Sequence, residues 1–289
     1  MNIMLSGGTG FIGSHLIKAL RSKGISIGVL KRNISDEYTD DSTATYYPAN
    51  SYDEISSAFD SFNPDIVVHL ATLYINNHTP AEINDLIDSN VTFGTMLLEA
   101  MSQKSVKYFL NIGTRWQHID NQQYKAANLY AATKEAFLKI LQYYASMGNI
   151  LYSTLELSDT FGPGDRRKKI VSLLIDAAKN RKKIELSPGD QVIDLIPVEY
   201  VVLSIIYIIE NKEKYFANDT YSLSGTTIKL KDLGSLIEKS MNSSGYFLWG
   251  AKTYRKNEVM EPPHYYPTLN VPGSIDVCEY IKRLCGDSL

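Results

Sequence analysis

The fold is decided near the start of the chain by Ser6-Gly7-Gly8-Thr9-Gly10-Phe11-Ile12-Gly13. Three of these glycines have the spacing G-x-x-G-x-x-G. Residues 3–5 before them are apolar, which predicts a buried strand, and residues 11–23 have the apolar spacing of a helix. Glycine lets such a turn bend tightly, touch a pyrophosphate with its backbone and pack close to a sheet. The stretch therefore predicts a dinucleotide-binding turn, with the phosphates at the helix N-terminus.

Short apolar runs alternate with helical patterns over the following 140 residues. Strands that alternate with helices predict right-handed βαβ units and a parallel sheet covered on both faces. The fold class is therefore α/β, a Rossmann doubly wound parallel sheet with a smaller C-terminal substrate-binding part. We expect residues 1–160 to form the NADP(H)-binding domain and residues 161–289 mainly the substrate-binding part, with chain crossing between them. The predicted strands are residues 3–5, 25–30, 65–70, 106–112 and 149–157, and the predicted helices are residues 11–23, 82–103 and 125–147.

Composition narrows the classes of partner. The net charge is -3 and the pI is about 6.0, whereas nucleic acid and anionic membranes call for a basic surface. The two cysteines, Cys278 and Cys285, are too few for a disulfide framework, and the five histidines show no spacing typical of a metal site. Neither a signal peptide nor a membrane-spanning apolar run is recognisable, so the expected location is the cytoplasm.

The end of the second predicted strand bears on the choice of dinucleotide. An NAD site usually has an acid there, which bonds the adenosine ribose. This chain instead has Lys31 and Arg32, followed by Asn33. A carboxylate would repel a 2′-phosphate, whereas a guanidinium can bind it in a forked geometry. The pair favours NADP(H), although a solvated start of a loop would also explain two cations.

A second constellation bears on catalysis. Tyr130 and Lys134 are four residues apart on a predicted helix and so share one face. A nearby ammonium lowers the pKa of a phenol, which makes it a usable proton donor or acceptor. Thr114 ends the strand before this helix, at the carboxyl edge where open α/β sheets bind ligands. Thr114, Tyr130 and Lys134 are therefore the candidate catalytic residues, since a surface Tyr–Lys pair would not explain the threonine and the glycine turn.

Together these residues resemble the extended short-chain dehydrogenase/reductase family along nearly the whole chain. Within it the chain looks most like the nucleotide-sugar 4-ketoreductases that make deoxysugars of bacterial O-antigen lipopolysaccharide, such as the CDP-abequose and CDP-paratose synthases. The tail Arg255-Lys256-Asn257-Glu258-Val259-Met260 is similar to that subgroup. The other supporting segments are the glycine turn, His69-Leu70-Ala71-Thr72, Asn90-Val91-Thr92-Phe93-Gly94-Thr95, Tyr130-Ala131-Ala132-Thr133-Lys134 and Phe161-Gly162-Pro163-Gly164-Asp165.

The resemblance implies NADPH as cofactor, a nucleotide-diphosphate sugar as substrate and a homodimer formed through the two long helices. It implies that Asn50 touches adenine, that Lys134 bonds the nicotinamide ribose and that Ala71 lies beside the cofactor. Loop positions Tyr74, Arg115, His118 and Arg255 are weaker candidates for substrate contact. The full set of expected cofactor-binding residues is Gly7, Thr9, Gly10, Phe11, Ile12, Gly13, Lys31, Arg32, Asn50, Leu70, Ala71, Tyr130 and Lys134.

Three positions depart from the family pattern. The family usually has arginine where this chain has Glu156, asparagine where it has Asp159, and a phosphate-binding arginine where it has Ile193. Losing that arginine removes an expected contact with the diphosphate. Arg255 or the Arg166-Arg167 pair are the candidates to supply it.

The fold supports several reactions, so the site must choose among them. Dehydratases of this family have Asp-Glu after the threonine, whereas this chain has Arg115-Trp116, which cannot do that proton transfer. The cationic pair after the second strand favours net reduction with NADPH. An epimerase that recycles bound NAD remains open. A non-catalytic NADP(H) sensor also remains open, although such relatives commonly lose the Tyr–Lys pair.

Overall fold

The computed structural model describes residues 1–32, 44–167, 169–255, 257–273 and 275–286. Its centre is a seven-stranded sheet of order β10-β6-β5-β4-β1-β2-β3 in which every neighbouring pair is parallel. This confirms the predicted Rossmann-type parallel sheet. The strands of this sheet are β1 (Asn2–Ser6), β2 (Ser26–Lys31), β3 (Thr45–Pro48), β4 (Ile66–His69), β5 (Tyr108–Thr114), β6 (Leu151–Leu157) and β10 (Asp219–Leu223).

Helices cover both faces of the sheet. Successive residues of a strand point to opposite faces, so Ile3 and Leu5 pack with α1 and α7 while Met4 packs with α2, α4 and α5. Two separate hydrophobic cores result, one on each side. The helices are α1 (Phe11–Ser22), α2 (Tyr52–Phe62), α3 (Ile83–Ile87), α4 (Phe93–Ser102), α5 (Leu129–Ser146), α6 (Ile170–Lys179), α7 (Val198–Glu210), α8 (Lys212–Tyr215), α9 (Leu230–Ser240) and α10 (Val277–Gly286).

A third hydrophobic core lies in the C-terminal part, among α6, α9 and α10. Two small sheets belong to this part, with orders β11-β9-β7 and β12-β8. The chain also returns to the large sheet, because β10 pairs with β6 and α7 packs on α1. The remaining strands are β7 (Asp159–Phe161), β8 (Ile184–Glu185), β9 (Val192–Pro197), β11 (Thr226–Lys229) and β12 (Phe247–Leu248).

The helix predicted over residues 82–103 is present from Ile83 to Ser102, with a π-helical turn inside it. A 3-10 turn, Pro80–Glu82, leads into α3, and a π-helical turn, Asp88–Thr92, separates α3 from α4. The helix predicted from residue 125 begins at Leu129, because the side chain of Asn128 caps it by accepting the N–H of Ala131 at 2.9 Å. Among the described residues no helix combines the length and apolarity needed to span a membrane.

Candidate active site

The turn between β1 and α1 has no room for a side chain at two of its glycines. Gly7 has a φ of +72°, and a Cβ there would lie 2.5 Å from the backbone nitrogen of Ala71. A Cβ on Gly13 would lie 2.3 Å from the carbonyl oxygen of Gly7. At the N-cap of α1, Gly10 has no side chain to cap the first N–H groups, which suits an anion. This cradle fits the pyrophosphate of a dinucleotide.

The other predicted residues of this turn lie around the cradle. Leu70 donates its backbone N–H to the carbonyl oxygen of Ser6 at 3.0 Å, which holds the end of β4 beside the turn. Thr9 is exposed, whereas Phe11 and Ile12 are half-buried at the start of α1. The guanidinium of Arg167 lies 4.5 Å from the ring centre of Phe11. The structure therefore brings the predicted turn residues together with Leu70 and Ala71.

Replacing Gly13 with alanine is expected to weaken NADPH binding by about tenfold or more, equivalent to about 1.4 kcal/mol. The new methyl group collides with backbone, which cannot move aside as a flexible side chain could. Fluorescence titration of NADPH measures the effect. Gly286→Ala is the control, since no atom lies within 4 Å of a Cβ there. Unchanged NADPH affinity in Gly13→Ala would show that the turn does not hold the dinucleotide.

The residues expected at the adenosine end lie at the carboxyl ends of β2 and β3. Lys31 is the last residue of β2, and Arg32 is exposed directly after it. Arg32 donates a hydrogen bond to the hydroxyl of Ser89 at 3.3 Å. Asn50 follows β3, and its side-chain amide donates to the carboxylate of Glu54 at 2.9 Å. Asn33, the third residue of the predicted run, lies outside the described residues.

Tyr130 and Lys134 lie one turn apart on α5, as predicted. Burial raises the pKa of Tyr130 to about 12, against smaller opposing effects of a hydrogen bond from Thr72 and the charge of Arg167. Burial lowers the pKa of Lys134 to about 8. The sequence predicted that Lys134 would lower the pKa of Tyr130, whereas burial is the largest influence and raises it. Tyr130 therefore holds its phenolic proton at neutral pH.

Asn90 supports this tyrosine from the π-helical turn, and sequence reasoning gave it no role. Its side-chain oxygen accepts the hydroxyl of Thr72 at 3.0 Å and the backbone N–H of Leu73 at 2.7 Å. Its amide donates to the carbonyl oxygen of Leu73 and to the hydroxyl of Thr133, both at 3.0 Å. Asn90 thereby ties the loop after β4 to α5. Only the Asn90 to Thr95 segment of the resemblance could have signalled it.

Thr114 ends β5 and is the N-cap of a 3-10 segment, Arg115–Asn121, which is kinked at residues 118–120. Its hydroxyl accepts the backbone N–H of Trp116 at 3.4 Å, and its own N–H donates to the side chain of Gln117 at 2.9 Å. Tyr74 contacts both the helix that carries Tyr130 and the turn that follows Thr114. Its ring lies edge-on to Tyr130 at 5.0 Å and tilted against Trp116 at 6.4 Å.

A cavity of about 340 Å³ opens next to these aromatic rings. The large-sheet part contributes Tyr74, Arg115 and Trp116 to its wall, and the C-terminal part supplies most of the rest. A cavity between a cofactor-binding sheet and a second part of the chain is a common position for a small-molecule substrate. The C-terminal residues of the wall include Asp159, Lys169, Leu186, Gln191, Ile193, Lys252 and Arg255.

Two cations of the cavity wall face aromatic rings. The ammonium of Lys169 lies 5.4 Å from the ring centre of Tyr74 and 3.4 Å from the carboxylate of Asp159. The guanidinium of Arg255 lies 6.0 Å from the ring centre of Trp116 and is paired with Glu258. Lys169 also caps α6, so its positive charge adds to that of the helix N-terminus. Lys256, next to Arg255, lies outside the described residues.

Arg115, a predicted substrate contact, instead uses its guanidinium for bonds within the protein. Its side chain is 2% exposed and forms an ion pair with Asp194, which is 0% exposed. Other donors bond the hydroxyl of Ser158 at 2.9 Å, the ring of His264 at 2.8 Å and the carbonyl oxygen of Pro263. These partners come from three distant segments, which is why sequence spacing did not reveal them. Arg115 therefore joins the turn after Thr114 to the C-terminal part.

His118 was also a candidate for substrate contact. The structure corrects this expectation, because the ring is fully buried, lies between the carboxylates of Glu135 and Glu156 and is not part of the cavity wall. The two acids come from α5 and β6, so the cluster forms only through folding. Glu156, which replaces the arginine usual in the family, therefore lies 3.3 Å from a buried imidazole.

The sequence was compared with protein families and with characterised proteins. Residues 3–224 match the NAD dependent epimerase/dehydratase family. The chain is 29% identical to a CDP-abequose synthase of Yersinia pseudotuberculosis over 268 residues, which cover 92% of this chain and 93% of the relative. A CDP-abequose synthase of Salmonella typhimurium is also 29% identical, with 89% and 87% of the two chains covered.

Solved structures share the fold at lower sequence identity. The UDP-glucose 4-epimerase of Thermotoga maritima, solved with UDP-glucose, superimposes with a TM-score of 0.83 at 18% identity, covering 99% and 98% of the two chains. The dTDP-glucose 4,6-dehydratase DesIV of Streptomyces venezuelae, solved with NAD, reaches 0.85 at 14% identity, covering 99% and 96%. These likenesses concern the fold alone.

Proposed function

Because the chain belongs to the NAD-dependent epimerase/dehydratase family, an extended short-chain dehydrogenase/reductase family of enzymes, we propose that it reduces a 4-keto nucleotide-sugar with NADPH. The observation that carries the proposal is the placement of Tyr130 and Lys134 one turn apart on α5, together with Arg115-Trp116 after Thr114. The tyrosine can donate the proton that a reduction needs. The turn lacks the acid and base that water elimination needs. The relatives named CDP-abequose synthase support the same substrate class.

Side chains of the protein donate the proton and stabilise the negative charge that develops on the ketone oxygen. Bound NADPH supplies a hydride to the ketone carbon. Tyr130 donates its phenolic proton to the ketone oxygen, which gains negative charge as the carbonyl is reduced. The hydroxyl of Thr114 donates a hydrogen bond to the same oxygen and stabilises that charge. Lys134, held on the Tyr130 face of α5, bonds the ribose hydroxyls and fixes the geometry.

The grip on the substrate diphosphate uses two cations of the cavity wall. Ile193 lines the cavity where the family has an arginine, and it carries no charge. Lys169 and Arg255 line the same cavity, and each lies over an aromatic ring of its wall. Together with the N-terminus of α6 they replace the missing arginine as the diphosphate ligands. Arg166 and Arg167 are not part of the cavity wall, so they fit this role less well.

The choice of NADPH rests on Lys31 and Arg32. Replacing Arg32 with alanine is expected to raise the KM for NADPH about tenfold or more, since a hydrogen bond to a charged group contributes about 1.5–3 kcal/mol. Activity with NADH should not fall, because NADH has no 2′-phosphate. Ser89→Ala removes the hydroxyl that Arg32 bonds and serves as the control. Equal losses with both dinucleotides would contradict a role in 2′-phosphate recognition.

The main alternative is an epimerase that recycles bound NAD, since several structural neighbours are epimerases of nucleotide-sugars. NADPH deuterated at its transferable position separates the two reactions. A reductase leaves deuterium at C4 of the product sugar in proportion to NADPH oxidised. An epimerase forms unlabelled product without consuming NADPH. A dinucleotide sensor binds NADPH and forms no product.

We also propose a cellular location and an oligomeric state for the enzyme. Deoxysugars made on a nucleotide carrier feed bacterial O-antigen assembly, and both reactants are cytoplasmic metabolites, so we place the enzyme in the cytoplasm. Side chains of α3 and α5, including Ile87 and Tyr143, are exposed although large and apolar. They would be covered in a homodimer formed through the long helices.

A further inference from the structure

Two buried ionisable side chains, His118 and Glu156, cluster with the half-buried Glu135 behind the turn that carries Thr114. The Nε2 atom of His118 lies 3.4 Å from a carboxylate oxygen of Glu135 and 3.3 Å from one of Glu156. The side chains of His118 and Glu156 are each 1% exposed. None of the three belongs to the wall of the cavity. A buried cluster of this kind is costly unless its charges are matched, so it needs a physical account.

The cluster joins the two elements that carry the candidate catalytic residues. Gln117 accepts the backbone N–H of Thr114 at 2.9 Å, and its amide donates to Glu135 at 2.9 Å. Glu135 directly follows Lys134 on α5. The contact is close, because a Cβ on Gly113 would lie 2.9 Å from the side-chain oxygen of Gln117. A continuous polar chain thus runs from Thr114 through Gln117 and Glu135 to His118.

Every element packed on His118 contributes to its electrostatics. Burial alone lowers the pKa of His118, but the nearby charges of Glu156 and Glu135 and the carbonyl of Gln123 raise it above the ordinary value of about 6.5. The tail adds two phenols, with Tyr265 stacked on the imidazole at 4.3 Å and Tyr266 edge-on at 5.2 Å.

Two further cations bear on the same acids. Lys139 lies 3.3 Å from Glu135, and Arg115 acts on Glu156 through its charge. Burial raises the pKa of Glu156, and His118 opposes that rise, so an imidazolium is the counter-charge that keeps the Glu156 carboxylate ionised. A protonated imidazole supplies that counter-charge and attracts both carboxylates at once. The geometry therefore fits an imidazolium better than a neutral ring.

We infer that His118 is a positioning residue, which as an imidazolium between Glu135 and Glu156 holds the Thr114 turn against the Tyr130 helix. Loss of the proton releases Glu135, and through Gln117 it loosens the placement of Thr114. The enzyme should then bind NADPH normally but turn over more slowly. The inference rests on the proposed ketone reduction for its kinetic readout only, because the protonation of His118 is measurable without substrate.

The test combines an NMR titration of the histidine ring protons with the pH profile of kcat. The raised pKa means that the attraction is present at low pH and is lost as pH rises through the folded-state pKa of His118. In the wild type, kcat should therefore fall at the pH where the His118 signal titrates. In Glu156→Gln, both the NMR pKa and the fall in kcat should move down by about one pH unit. Lys134 also titrates near 8, but burial is what lowers its pKa, so its contribution stays in place in Glu156→Gln.

Variants of the histidine itself complete the test. His118→Gln identifies the NMR signal and should lower kcat by about tenfold to a hundredfold at neutral pH without changing the NADPH Kd. His78→Gln, which alters an exposed loop histidine, is the control and should match the wild type. An unfolded His118→Gln would leave Glu156→Gln to decide.

Two results overturn the inference. One is an NMR pKa for His118 at or below about 6.5. The other is a fall in kcat whose pH is the same in wild type and Glu156→Gln. Absence of turnover in every form would contradict the proposed reaction instead, and the NMR titration would still report on the imidazolium.

Discussion

Replacing Tyr130 with phenylalanine is expected to lower the rate of ketone reduction by a factor of about 10² to 10⁴, the usual contribution of a positioned general acid. The ring is kept, so its edge-on contact with Tyr74 persists and the fold is preserved. Only the proton donated to the ketone oxygen is lost. Single-turnover kinetics with saturating NADPH measure the effect directly.

The NADPH Kd of Tyr130→Phe should stay within about twofold of the wild-type value, which separates catalysis from binding. Tyr144→Phe is the matched control, since it removes a phenol of similarly raised pKa on the same helix that lies outside the cavity wall. It should retain most of the activity. Full turnover in Tyr130→Phe would refute the assignment of the proton donor, whatever the substrate.

Replacing Arg115 with methionine is expected to reduce the free energy of unfolding by about 3–5 kcal/mol, which is typical when one partner of a buried ion pair is removed. Asp194 would keep its charge at 0% exposure without its guanidinium partner. The bond to Pro263, which holds the tail on the turn after Thr114, would also be lost. Urea unfolding followed by circular dichroism measures the change.

Arg255→Met is the control for this experiment, because it makes the same chemical change in an ion pair whose arginine is 44% exposed. Exposed pairs contribute about 0–1 kcal/mol, so this variant should lose little stability. Adding Asp194→Asn to Arg115→Met should restore part of the loss by removing the stranded charge. A loss below about 1 kcal/mol in Arg115→Met would contradict the structural role.

Local rules predicted the parts of the fold that short stretches determine. The glycine turn, β1 and α1 follow from residues 3–23, because the turn geometry and the apolar spacing are both local. The π-helical turn before α4 could not be predicted in this way, because the four hydrogen bonds of Asn90 reach the loop after β4 and α5. The short strand β3 was also missed. Its four residues are half-buried or exposed, so no apolar run marks it.

In the candidate site, too, the residues placed by local sequence were predicted correctly, and those placed by distant partners were not. Thr114, Tyr130 and Lys134 were recognisable because each lies at a defined place in a strand or helix. Arg115 and His118 were near Thr114 in sequence and so became candidates for substrate contact. Their partners, Asp194 and Glu156 among them, come from distant segments and turn both side chains inward. Proximity along the chain could not distinguish burial from exposure to a cavity.

The three positions that differ from the family pattern are explained by contacts with residues that are distant in sequence. Glu156 has His118 as a partner, and Asp159 has Lys169. Ile193 shares the cavity wall with Lys169 and Arg255. A substitution that looks like a loss in sequence is therefore accompanied by a charge from another segment. The substrate rules of the family thus need testing on this chain, residue by residue.

The most direct test of the account follows the absorbance of NADPH with CDP-, GDP-, dTDP- and UDP-linked 4-keto-6-deoxy and 4-keto-3,6-dideoxy sugars. We predict that at least one of them causes NADPH oxidation matched one-to-one by formation of the sugar alcohol, with much weaker activity from NADH. Tight NADPH binding without oxidation by any of these sugars, or product formed without loss of NADPH, would contradict the assignment as a ketoreductase.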